Sequence, residues 1–144
     1  MRVALLLVAL TSIASADGVR VIGTSLTLQR GANNPIALHI AKSAAKQPST
    51  SHPCTLNIRL APKDMPFQSF DFSLDVMEKD SQGPRSFQAR TNRGVNVAAK
   101  RGGVTKFIQG EKSSVEVDGT VEVDGMEWRL RGRITVADID CAWD

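Results

Sequence analysis

Apolar and polar residues alternate with a period of two along most of the chain, most regularly from Ser113 to Val136. Val115-Glu116-Val117-Asp118-Gly119 is repeated almost at once as Val121-Glu122-Val123-Asp124-Gly125. Val and Glu in alternation, interrupted by Asp-Gly, predict strands and a tight turn. The turn is placed at Asp124-Gly125, because Glu127 to Val136 can then run back as a long return strand. On that strand Trp128, Leu130, Ile134 and Val136 point one way, and Arg129, Arg131, Arg133 and Thr135 the other. Asp118-Gly119 is read as a bulge or bend inside the first strand.

The same alternation predicts the earlier elements. Val19–Ile22 and Ser25–Gln29 read as strand, Gly31–Pro35 as loop, and Ile36, Leu38 and Ile40 as one face of a second strand. Lys42–Pro53, rich in Ser, Ala, Thr and Pro, reads as a surface loop. Cys54, Leu56, Ile58 and Leu60 alternate with polar residues in a third strand, with Cys54 on its buried side. Ala61–Pro66 holds two prolines and turns. Phe70, Phe72, Leu74 and Val76 then make the clearest one-sided strand. After a polar turn at Glu78–Pro84, Ser86–Arg90 and Val95–Ala99 form a hairpin around Asn92-Arg93-Gly94. Lys100–Gly103 is a turn and Val104–Ile108 a strand. Ala137–Cys141 closes the domain, with a bulge near Ala137-Asp138 to restore the inward face. Eight to ten short strands and no helix of core-building length predict an all-β fold. A small antiparallel sandwich is the reading; a small barrel is the alternative.

The first sixteen residues do not follow this pattern. A positive start (Met1, Arg2), the aliphatic run Val3–Leu10 and the small residues Ala14-Ser15-Ala16 match a secretory signal peptide. Residues 1–16 are therefore expected to be the leader and 17–144 a single β-rich domain, secreted or periplasmic. The apolar run is too short to cross a bilayer comfortably, and no later segment is apolar enough, so no transmembrane segment is expected. Export changes the meaning of the cysteines. Cys54 and Cys141 are the only two, and an even pair in an exported chain is expected to be bonded. Trp143, two residues further on, either covers the disulfide or lies at an interface.

Candidate chemistry is sparse. His39 and His52 are the only histidines, and neither belongs to a recognisable catalytic arrangement. The expectation is a non-enzymatic protein without a cofactor. Asp118, Glu122, Asp124 and Glu127 alternate with Val as a solvated face does, so no metal is assigned. Charge is unevenly placed. Gln82–Gly110 carries six basic residues (Arg85, Arg90, Arg93, Lys100, Arg101, Lys106) and no acidic one, whereas Glu111–Glu127 carries six acidic residues against Lys112. The basic set is the candidate binding site, for an acidic surface polymer or a protein. Export and the lack of interleaved aromatics exclude nucleic acid. The expected function is an exported recognition module. The alternatives are a structural subunit of a cell-surface or extracellular assembly, and a carrier of a small apolar ligand. Opposite charge patches on one domain also permit a head-to-tail homo-oligomer.

Overall fold

The computed structural model describes residues 18–51, 53–63, 66–76 and 85–141. The expected leader (residues 1–16), His52, the expected Glu78–Pro84 turn and Trp143 lie outside the described residues. Ten strands form two five-stranded antiparallel sheets packed as a sandwich. Sheet A holds β1 (Arg20–Arg30), β2 (Ile36–Ala37), β8 (Arg101–Ile108), β9 (Lys112–Val123) and β10 (Met126–Ala137), in the order β2-β1-β10-β9-β8. Sheet B is a plain meander of β3 (Ile40–Lys46), β4 (Cys54–Pro62), β5 (Phe67–Val76), β6 (Arg85–Thr91) and β7 (Asn96–Ala98). The chain changes sheets twice, at Leu38-His39 and at Ala99-Lys100. The two sheets stay separate among the described residues, which decides for the sandwich over the barrel.

The core forms where the alternation is strict. Leu56, Ile58 and Leu60 of β4 and Phe70, Phe72 and Leu74 of β5 are almost wholly excluded from solvent, as are Val115 and Val121 of β9 and Leu130 and Ile134 of β10. Phe72 stacks on Phe87 with centroids 5.0 Å apart, and Phe67 lies 5.0 Å from Phe70. Trp128 is only half-buried at the margin of this cluster. It meets Phe67 edge-on at 5.3 Å, and the Arg30 guanidinium lies 5.6 Å from its ring. Such a contact suits an indole at a sheet margin, with one ring face packed and one available to a cation.

Asp124 and Gly125, both at positive φ, make the hairpin turn as expected. Asp118-Gly119 behaves differently from expectation: β9 runs straight through it in unbroken register with β10. The glycine there answers to packing. A Cβ on Gly119 would stand 2.6 Å from Cδ2 of Phe87, so the missing side chain is the socket into which sheet B sets its ring. Three further expectations are corrected. Ile36, Leu38 and Ile40 do not share one strand, because the chain leaves sheet A between them. Ile36 is 52 % exposed and Leu38 6 %. The first part of the expected Lys42–Pro53 loop, up to Lys46, belongs instead to β3, which shows no apolar alternation because an edge strand exposes most of its side chains. Ala137–Cys141 is not a strand beyond Ala137; Asp138 takes positive φ and reverses the parity without a bulge.

Cys54 and Cys141 are bonded, their Cα atoms 5.7 Å apart. The bond links the start of β4 in sheet B to the segment after β10 in sheet A. Gln47 secures the same corner: its Nε2 donates to the Asp140 carbonyl at 3.0 Å, and the Asp140 N–H donates back to Oε1 at 2.9 Å.

Candidate functional site

The outer face of sheet A is built by alternation and by register. Leu130 and Ile134 face the core, so Arg129, Arg131 and Arg133 stand outward at two-residue intervals. Antiparallel pairing extends each into a row across the strands. Ser25, Arg133, Glu116 and Lys106 make one row, and Thr27, Arg131, Asp118 and Gly103 the next. Gln29, Arg129, Thr120 and Arg101 make the third, and Glu127 pairs with Glu122 nearest the turn. Rows are roughly 7 Å apart, two residues of strand rise. Between the first two runs a groove of about 460 Å³, walled by Arg131, Arg133, Glu116 and Asp118 and floored at Val117 and Gly132.

The charges in these rows are unequally satisfied. Arg129 grips Asp118 with two hydrogen bonds, both 2.9 Å. Arg131 is left 3.7 Å from the same carboxylate, beyond hydrogen-bond reach. Arg133 makes one 3.4 Å contact with Glu116. Lys106 stands opposite Glu116 in the register and makes no ion pair among the described residues. Nearer the turn, Glu127 accepts from Arg101 at 2.7 Å and from Lys100 at 2.9 Å, and Lys100 also reaches Glu122 at 3.4 Å.

These bonds move the proton affinities in the expected directions. Hydrogen bonds from Arg101, then Lys100, hold the Glu127 carboxyl down at about 2. The same bonds raise Lys100 and Arg101. Asp118 is lowered, chiefly by the hydrogen bond from Arg129. A depressed carboxyl contributes stability above its unfolded value, near 4.5, and loses it as pH falls through the folded value, near 2. A carboxyl-carbon NMR titration should therefore place the Glu127 midpoint near 2, and Arg101→Gln should raise it toward 4.5. An ordinary midpoint in the unaltered protein would refute the cluster.

The six basic residues singled out from the sequence do not converge. Lys100, Arg101 and Lys106 belong to the sheet A side. Arg93 lies at the rim, 2.8 Å from Asp124. Arg90 is on the opposite outer face, where its Nε donates to Gln68 at 2.6 Å and its Nη1 to Asn96 at 3.2 Å. Arg85 shares the inward parity of Phe87 and Ala89, and its Nη1 donates to the Val104 carbonyl at 3.4 Å. Two physical reasons apply: the sheet change at Ala99-Lys100 sends Lys100, Arg101 and Lys106 to sheet A, and alternation along β6 sets Arg85 and Arg90 on opposite sides of sheet B. Arg131 and Arg133 were legible as outward residues, but the acidic strand beside them in sequence hid their excess charge.

Among the described residues, no three of His, Cys, Asp and Glu gather to hold a metal ion, and no helix is long and apolar enough to cross a membrane. The protein is a small disulfide-bonded all-β domain. No family model matches the chain, and neither the curated proteins nor the solved structures give a match.

Proposed function

We propose that the protein is an exported, non-catalytic recognition module that captures an acidic partner on the outer face of sheet A. The partner is an anionic surface polymer or an acidic segment of a protein. One observation carries this reading: Arg131 and Arg133 wall a groove whose two carboxylates are Glu116 and Asp118, Arg129 already occupies Asp118, and Lys106 lies in the same row as Arg133, opposite Glu116. Guanidinium groups suit the task, since they donate in a fork to carboxylate or sulfate. The existing ion pairs are exposed and weak, so exchanging them for an incoming anion costs little. Lys100 and Arg101 are held by Glu127 and Glu122, so their charges are already balanced and they form no part of the site. The phenylalanine chain fills the space between the sheets, which gives the apolar-carrier reading no support.

Immobilised heparin serves as an anionic probe. The mature chain should bind it with an affinity that falls as salt rises. Replacing Lys106, Arg131 and Arg133 together by Ser should weaken binding more than roughly tenfold, as the loss of two or three charge-assisted contacts requires. The melting temperature should barely move, because surface changes of this kind are near neutral. Binding unchanged by the triple substitution would overturn the assignment.

A further inference from the structure

The outer face of sheet B has the same row construction and different chemistry. Register places Asn57, Ser73 and Ser86 in one row and Arg59, Asp71 and Gln88 in the next. Lys46 and Ala44 extend the two rows onto β3. A groove of about 480 Å³ runs between them across β3 to β6, over Ile58 and Phe72, whose side chains point into the core. Arg59 donates to Asp71 at 2.7 Å, so the two charges on the central strands cancel. Ser73 donates to the side-chain oxygen (Oδ1) of Asn57 at 2.8 Å, which leaves the Asn57 NH₂ to donate elsewhere. Ser86 and Gln88 each offer both a donor and an acceptor. Both walls therefore give and accept hydrogen bonds, with no apolar side chain larger than Ala44 turned outward among the lining residues.

We propose that this groove binds an uncharged, hydroxyl-rich linear chain, a short stretch of neutral polysaccharide. Each hydroxyl donates and accepts, as the amide and hydroxyl walls do. An apolar ligand would bury the polar walls unpaired, which is costly. A polyanion would find Arg59 already bonded to Asp71 and, among the described residues, a single uncompensated cation, Lys46, at the β3 margin of the groove. Crossing four strands spaced about 4.8 Å gives a track of roughly 15 Å, long enough for several rings end to end. This site is independent of the acid-capturing face, because the two lie on opposite sides of the sandwich.

The test is a titration of the mature, disulfide-bonded chain with cellotetraose, and with maltotetraose as a bent-chain comparison, followed by amide NMR shifts. Saturable shifts at millimolar sugar are expected at β4, β5 and β6 with at least one of the two probes. Asn57→Ala and Gln88→Ala should each weaken that binding about fivefold to tenfold, the effect of losing one hydrogen bond. Should Asn57→Ala disturb the fold through Ser73, Gln88→Ala alone still decides. The Lys106, Arg131 and Arg133 triple variant should bind the sugar as the unaltered chain does. Absence of saturable shifts with both sugars, shifts confined to sheet A, or undiminished affinity in Gln88→Ala would each overturn the proposal.

Discussion

Gly132→Ala is expected to cost the domain a large part of its stability, although it adds a single methyl group to a half-buried position. Gly132 has φ 139°, a conformation that side-chain-bearing residues rarely adopt. An added Cβ would lie 2.0 Å from the Ser25 carbonyl oxygen and 2.9 Å from the Leu26 Cα. These are backbone atoms of the neighbouring central strand, so no rotamer change relieves the overlap. Relief requires β1 and β10 to part, which breaks the pairing that binds the first strand to the last. A cost of about 4 kcal/mol or more follows, a large part of the 5 to 15 kcal/mol typical of whole domains. Urea denaturation followed by circular dichroism measures it. Gly23→Ala is the control: it lies on the same pair of strands, and its Cβ would meet only Thr135 Cβ, at 4.0 Å. It should change stability by no more than about 1 kcal/mol. Equal stability of the two variants would show that Gly132 is not constrained as described.

Removal of the disulfide should be the second largest loss. The bond closes a span of 87 residues that runs from β4 to past β10, so the reduced chain regains the freedom of seven of the ten described strands. The chain-entropy relation gives about 4 to 5 kcal/mol for such a loop, and measured removals fall in the range of roughly 2 to 5 kcal/mol. Cys54→Ala/Cys141→Ala, which leaves no lone buried thiol, should lower the melting temperature by roughly 10 to 20 °C. The loss should be greatest at one corner. Without the bond, the segment after β10 keeps the two Gln47–Asp140 hydrogen bonds, the exposed Arg20–Asp138 ion pair and the half-buried packing of Ile139. Amide exchange should therefore accelerate first at Ile139 to Cys141 and at the start of β4. A double variant that melts with the unaltered protein would show the bond to be dispensable.

The candidate sites were legible to different depths. Alternation alone placed Arg129, Arg131 and Arg133 on one outward face, since a period of two admits no other arrangement beside Leu130 and Ile134. It could not show that Arg129 would take both oxygens of Asp118 and leave Arg131 short of a partner. That depends on the diagonal across a paired strand. Lys106 was singled out for its basic neighbours in sequence, yet it matters for lying in the same row as Arg133, through Glu116. The sheet B groove left no mark in the sequence. Asn57, Ser73 and Ser86 are unremarkable polar positions on three separate strands, and only their register sets them side by side.

By itself the sequence determined the elements whose cause is local. The Asp124-Gly125 turn, the inward rows of β4, β5, β9 and β10, and the all-β class follow from side chains that alternate about a pleated backbone. The cysteine pairing follows from there being two of them in a chain read as exported. Tertiary structure decided what depends on partners distant in sequence. It set the exchange of sheets at Leu38-His39 and Ala99-Lys100, which local alternation cannot signal because a strand looks the same in either sheet. It made β3 a strand, since an edge needs only hydrogen bonds from β4 and no apolar face of its own. It kept Gly119 empty for Phe87 and Gly132 empty for Ser25. And it scattered the six basic residues between the two sheets and the rim while gathering Arg131, Arg133 and Lys106 on one face, because charge is grouped by sheet register and not by position along the chain.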